Sequence, residues 1–335
     1  MKIARWVVPD GSAVHEGFVI TDAVVPFPDE ATVADVLTRG LDAARELRDR
    51  VASDAAPTRR LEDVRLLPPV VPASIRDFVA FEEHVEGVSA SVDGKGGVVP
   101  EWYEAPTFYF TNPHTVRATG QVVAIPQTQR LDFELELAVV IGGVAGSTGE
   151  NLSIARAGDH IFGYTVMNDW SARDLQSREM KVRLGPAKGK DFGLTLGPWI
   201  VTADELEGFV DDDGFLALRA EVWVNGSLVG EDLVSNMGWP FPELVAYAAR
   251  NSVVVPGDVL GSGTVGNGGC LGELWGRGCD IPPLEPGDEV RMRIEGVGEV
   301  VNVVGERVAA APIPAARTRS RSRALSGRRM RAHPG

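Results

Sequence analysis

The sequence predicts a mostly β protein of the α+β class, a mixed β-sandwich or roll preceded by a small N-terminal β domain carrying one helix. Three observations lead there. Segments with strand periodicity recur beyond residue 70: VVAIPQ, FELELAVVIG, HIFGYTVMND, PWIVTADEL, LRAEVWVNGSLVG and DEVRMRIEGVGEVVNVV. Pro-Gly-Asp and Asn-Gly turn signals separate them. Helical periodicity is sparse, and no fixed repeat period appears, so a repeat architecture is excluded.

The elements follow in order. Residues 1–28 alternate apolar and polar around turn pairs such as Asp10-Gly11, which predicts short antiparallel strands. ATVADVLTRGLDAARELRDRVAS then sets Val33, Val36, Leu37, Leu41, Ala44, Leu47 and Val51 at helical spacing, predicting one amphipathic helix. The stiff stretch LLPPVVP closes this region. We therefore expect a small domain over 1–70, a large domain over 71–316 and a basic, disordered tail over 317–335. In the large domain, helical text is confined to residues 171–180 and WPFPELVAYAARN.

Composition narrows the function. With 335 residues, 44% hydrophobic and 24% charged, the chain can bury a large core. No charged-then-apolar leader opens it, and the longest apolar run, near LAVVIGGVAG, falls short of the roughly 20 residues that span a bilayer. A soluble, cytoplasmic protein without membrane partners is expected. Cys270 and Cys279 are too few for a disulfide scaffold, match no zinc spacing and read as buried free thiols. The tail holds seven arginines and no acid; removing them from the formal net charge of −14 leaves −21 on residues 1–316. So acidic a body argues against nucleic acid as the main partner.

The informative residues are acids in apolar text. In RLDFELELAVVIG, alternation puts Glu134 and Glu136 on one face, with Asp132 joining them. At about 4 Å and an effective dielectric near 20, two carboxylates repel by roughly 4 kcal/mol. A positive charge is called for, and none lies within the strand FELELAVVIG. In MNDWSARDLQ, Asp169 stands at a strand-to-helix corner, and Ser171 to Asp174 has capping-box spacing. Arg173 and Gln176 would share a helix face. In RDFVAFEEH, Asp77 precedes His84 by seven residues, about two turns if helical. Hard divalent ions such as Mg²⁺ or Ca²⁺ seek such oxygen ligands. Each piece alone also fits a solvated strand face, a core histidine or a loop lysine.

GSGTVG spells G-x-G-x-x-G at Gly261, Gly263 and Gly266, but NGGCLGELWGRG after it is a poor helix, so dinucleotide binding is rejected. No G-x-S-x-G, H-E-x-x-H or P-loop is present, and His114 and His160 show no partners in the sequence.

Taken together, Asp77…His84, Glu134-Leu-Glu136, Asn168-Asp169-Trp-Ser-Ala-Arg173-Asp-Leu-Gln176, LGPAKGKDFG with Lys190, and GSGTVG with Thr264 resemble the fumarylacetoacetate hydrolase family over about residues 70–310. The resemblance implies that Asp77, Glu134, Glu136 and Asp169 hold a divalent metal, Mg²⁺, Mn²⁺ or Ca²⁺, and that His84 is the general base. It implies Glu273 as the residue orienting His84, in preference to Glu86 beside Gly87. Arg173, Gln176 and Lys190 become donors to an oxyanion, and Gly263 and Thr264 a loop that binds a substrate carboxylate. The expected function is metal-dependent hydrolysis of a carbon–carbon bond in a diketo acid, an acylpyruvate or a fumarylacetoacetate- or fumarylpyruvate-like compound, in aromatic catabolism. Alternatives are a 2-oxo acid decarboxylase, hydratase or isomerase of the same family, and a non-catalytic metal-binding protein. The small-molecule oxo acid is the expected partner, and the family resemblance implies a homodimer.

Two departures stand out. Where the fumarylacetoacetase branch carries tyrosines, this chain has Val79 and Met180. The insertion EGVSASVDGKGGVVPEWYE is expected to form a mobile lid, with Trp102 and Tyr103 closing over a ligand.

Overall fold

A computed structural model describes residues 1–9, 11–53, 58–93 and 97–316; the basic tail lies outside them. Two sheets carry the fold, as predicted for a mostly β, α+β chain. The larger has twelve strands, and its centre runs Lys2–Val7, Leu194–Thr202, Ile161–Asp169, Leu135–Ile141, Val259–Gly261, Ile75–Phe78 and Phe108–Thr111. The second has five: Ser227–Leu233, Arg219–Val224, Glu289–Ile294, Gly298–Val308 and Val122–Pro126.

Leu135–Ile141 shows why the strands are so apolar. Leu135, Leu137, Val139 and Ile141 join one core with Ala220, Val222, Met292 and Val304 of the five-stranded sheet. Ala138 and Val140, on the opposite face, join a second core with Ile3, Phe18, Val36, Leu37 and Leu47. A strand covered on both faces reads as a continuous hydrophobic run. Glu136 shares the face of Ala138 and Val140 by the two-residue period, so burial is imposed on it by the strand.

Among the described residues, 1–70 build no sheet of their own. Lys2–Val7 pairs antiparallel with Leu194–Thr202, with Lys2 opposite Val201, so the N-terminal strands extend the large sheet. The single helix expected over 31–53 is two, Val33–Arg39 and Leu41–Ser53. Gly40 separates them at φ +84°, where a Cβ would lie 2.2 Å from the Gly143 carbonyl oxygen. The chain must turn there to admit another backbone segment. The apolar stripe survives the break: Val33, Val36, Leu37, Ala44, Leu47 and Val51 are buried.

Four local expectations need correction. Asp77 lies in the strand Ile75–Phe78, and only His84 is helical, in Glu82–Asp93. The capping box at 171–174 does not form. Ser171 pairs with Asp132 in a two-residue strand, while the Asp174 carboxylate accepts from Gln129 N at 3.0 Å. Trp102 is no lid residue: it is buried, donates from Nε1 to the Val79 carbonyl at 2.7 Å and packs against Trp239. Tyr103 donates to Glu82. Residues 86–93 continue the His84 helix, and 94–96 lie outside the described residues. Cys270 is buried as expected, but Cys279 is exposed.

Among the described residues, no helix is long and apolar enough to cross a membrane.

Candidate active site

Sheet register brings the distant acids together. Val259–Gly261 runs parallel to Ile75–Phe78 with Gly261 opposite Asp77, and antiparallel to Leu135–Ile141. On the other side, Leu135 faces Asn168, so Asp169 ends its strand beside Glu134. Asp169 N donates to the Glu134 carbonyl at 3.1 Å, and Glu134 N to Asn168 Oδ1 at 3.0 Å. Carboxylate oxygens of Asp77, Glu134 and Asp169 all lie within 4.8 Å of one another, fully buried.

The bare position between these strands explains Gly261. A Cβ there would sit 2.2 Å from Met167 Cε, 2.6 Å from Glu136 Oε2 and 2.9 Å from Asp77 Oδ1. Gly261→Ala should therefore displace two carboxylates and lower activity by about 100-fold, the scale of an ångström's misplacement in a site. Ion content measured beside kcat checks this: unchanged values for both would show that the acids are not what Gly261 accommodates.

A positive charge reaches Glu134, though not Glu136, from two side chains far along the chain. The Lys190 ammonium bonds Glu134 Oε2 and lies 2.7 Å from Asp169 Oδ2. Arg173 reaches Glu134 Oε1 at 2.8 Å and Asp132 Oδ2 at 2.7 Å. Burial disfavours the Glu134 anion, but Lys190 and then Arg173 outweigh it and hold its carboxyl at about 2. The lysine is correspondingly held above its usual value by Asp169 and Glu134, against the effect of burial.

Two acids remain uncompensated. Burial, then the Asp169 charge, pushes Asp77 well up. Burial, then Asp77, does the same to Glu136. Asp77 Oδ1, Glu136 Oε1 and Asp169 Oδ1 are buried oxygens without a hydrogen-bond partner. Orphaned carboxylate oxygens on the strands that gather Asp77, Glu134 and Asp169, a set with no sulfur or imidazole, fit a hard divalent cation.

Asp132 does not join that face. It turns to Arg173 and to the amides of Leu271 and Gly272 at 2.7 and 2.8 Å, at the start of the short helix Leu271–Gly276. That six-residue helix forms where the glycine-rich text predicted none, with Cys270 Sγ accepting from Glu273 N at 3.3 Å. Gly263, at φ +81°, passes so close to Ile75–Phe78 that a Cβ would sit 2.5 Å from the Phe78 carbonyl oxygen. The segment is a tight loop, and Thr264 lines the cavity beyond it.

His84 closes the site. Its Nε2 lies 3.9 Å from Glu134 Oε1. Burial lowers its pKa to about 4, with Glu134 opposing, so the ring is neutral near pH 7. The partner expected for it is elsewhere: the Glu273 carboxylate goes to Arg277 at 2.7 Å and packs against Gly87, where a Cβ would lie 2.5 Å from Glu273 Cγ. Cys270 Sγ, 3.5 Å from Nδ1, takes the place beside the imidazole. Gln176 accepts from Arg173 Nη1 at 3.0 Å, as their shared helix face predicts. Asp77, His84, Glu134, Glu136, Arg173, Gln176, Lys190 and Thr264 all line one cavity of about 360 Å³.

Sequence reading missed Tyr109 and Cys270. The Tyr109 hydroxyl donates to Asp169 Oδ2, and its ring lies 5.5 Å from the Lys190 ammonium. Only its place in a strand (FYFT) that ends the sheet beside Asp77 could have signalled it.

A neutral imidazole, buried acids and two fixed cations in one cavity make up an enzyme site for acid–base chemistry on a small anion. A family model for the fumarylacetoacetate hydrolase C-terminal domain matches residues 73–305. Fumarylacetoacetase of Arabidopsis thaliana is 30% identical over 311 residues, covering 77% of this chain and 73% of that one. Among solved structures, a fumarylacetoacetate hydrolase from Exiguobacterium antarcticum superposes with a TM-score of 0.68 at 25% identity, over 92% of this chain and all of the other. A maleylpyruvate hydrolase from Sphingobium sp. SYK-6, crystallised with manganese(II) and pyruvate, shares the fold, with a TM-score of 0.67 at 21% identity over 92% of this chain and 100% of that one. The chain belongs to the fumarylacetoacetate hydrolase family. It is an enzyme of the hydrolases that act on carbon–carbon bonds.

Proposed function

We propose that the protein hydrolyses a carbon–carbon bond in a 2,4-dioxo acid, with a divalent cation held by Asp77, Glu134, Glu136 and Asp169 and with His84 as general base. The observation that carries this is the imidazole beside Glu134, one of three acids whose oxygens converge, in a cavity that Asp77 and Glu134 line. When bound, the cation supplies Lewis-acid polarisation of the substrate's 2-oxo acid oxygens.

The chain's own residues do the rest. His84 Nε2, neutral and facing the acids, takes a proton from water, and the hydroxide forms a bond to the acyl carbonyl carbon. The carbon–carbon bond to the neighbouring methylene then breaks. Its electron pair stays on the methylene side as an enolate, and His84 returns the proton there, giving a carboxylic acid and a 2-oxo acid. Arg173, Gln176 and Lys190 border the same cavity and are placed to stabilise the developing negative charge, a role typically worth a few kcal/mol per donor. Arg173 and Lys190 are held by Asp132, Glu134 and Asp169 and need little reorganisation. The Thr264 hydroxyl, buried at the cavity wall, suits the substrate carboxylate. A decarboxylase needs no water nucleophile, so a cavity-facing imidazole supports hydrolysis over that alternative.

Purified protein should carry about one divalent ion per chain. Stripping it with excess chelator should abolish turnover of a 2,4-dioxo acid, and Mn²⁺ or Mg²⁺ should restore it. Undiminished activity in chelator would sink the proposal.

A further inference from the structure

The cavity wall away from the acids contains no cation among the described residues. Arg173 and Lys190 are the two that border the cavity, and both are engaged at its acidic end: Arg173 by Asp132 and Glu134, Lys190 by Glu134 and Asp169. Beyond the acidic end the wall is mostly apolar, with Val79, Val85, Val88, Phe108, Met180 and Pro186 among its residues, and it also carries the uncharged hydroxyls of Ser89 and Thr107. Met180 ends the helix Arg173–Met180, seven residues and so about 10 Å along the axis from Arg173. Val88 lies four residues after His84, one turn further along its helix and on the same side.

We infer that the group beyond the second carbonyl of the substrate is an uncharged apolar acyl chain, and that Val79, Val88 and Met180 select it over acyl groups ending in a carboxylate. This rests on the proposed hydrolysis of a 2,4-dioxo acid. A terminal carboxylate carried to this wall loses water and finds no cation there to replace it, only the neutral hydroxyls of Ser89 and Thr107. An alkyl chain gains from the same wall by burial. The charge of the whole molecule acts in the same direction, because a second negative charge on the ligand increases its repulsion from an acidic body.

The test compares kcat/KM for 2,4-dioxohexanoate, 2,4-dioxooctanoate and fumarylpyruvate on the metal-loaded enzyme. Burial predicts a gain of about fourfold per methylene, hence roughly fifteenfold from the first to the second. Fumarylpyruvate should fall about 100-fold below the octanoate. Met180→Arg, at a half-exposed helix end, places a guanidinium on the apolar wall and should narrow or reverse that ratio while metal content stays at the parent level. Fumarylpyruvate turned over as fast as 2,4-dioxooctanoate would overturn this inference and leave the hydrolase reading standing. No turnover of any member by metal-loaded protein would remove the hydrolase reading itself.

Discussion

Replacing His84 with alanine should lower kcat about 1,000-fold and leave the divalent ion in place. The magnitude lies within the range for loss of a positioned general base. Ion content should persist because the orphaned oxygens that fit the cation belong to Asp77, Glu136 and Asp169, while His84 Nε2 sits 3.9 Å from Glu134 and contributes none of them. The competing account is that the imidazole is a packing piece, buried against Cys270. His84→Gln separates the two. Glutamine fills much of the same volume and keeps a hydrogen-bonding group beside the thiol, so the fold and the ion should survive, yet an amide cannot take a proton from water. Loss of activity in both variants at parent melting temperature identifies the base. Activity within tenfold of the parent in the glutamine variant would show that another group takes the proton.

What the sequence disclosed of this site follows from the range of its signals. Alternation within Leu135–Ile141 and the strand-to-helix corner at Asp169 are local, and both appear where the residues predict them. Partner choice is not local. Lys190 reaches Glu134 across 56 residues of chain, and Arg173 reaches Asp132 across 41; neither spacing leaves a periodic trace. The sequence raised the need for a positive charge beside the two glutamates, yet assigned Lys190 and Arg173 to the substrate alone. In the folded chain they first neutralise Glu134 and Asp169, and only then border the cavity. Asp132 shows the limit of period-two reasoning. Its strand ends at once, so its side chain leaves the shared face and goes to the Leu271 and Gly272 amides. The helix broken at Gly40 and the anchored Trp102 failed for a related reason. Contacts with Gly143 and Trp239, remote in sequence, override the local pattern.

Asp77→Asn should abolish activity while making the ion-free protein no less stable than the parent. Without a cation, the parent buries Asp77 beside Glu136 and Asp169, and only Glu134 and Asp169 have a lysine between them. Burial and then Asp169 raise the Asp77 pKa from 3.8, and burial and then Asp77 raise Glu136 from 4.5. As pH rises past those ordinary values, the unfolded chain releases protons that the folded chain retains. More protons bound in the folded state mean stability that falls with rising pH. The ion-free parent should therefore lose stability from about pH 4 upward, and asparagine, which never ionises, should flatten that slope. A bound cation removes the same penalty in the parent. At 100 times its dissociation constant it adds about 2.7 kcal/mol by mass action, seen as a melting temperature raised by several degrees. The variant should gain nothing from Mg²⁺ or Mn²⁺. Melting curves with and without ion, across pH 4 to 8, make the comparison. If Asp77→Asn still gains stability from the ion and keeps turnover, Asp77 is no ligand, and the acids owe their convergence to Lys190 and Arg173 alone.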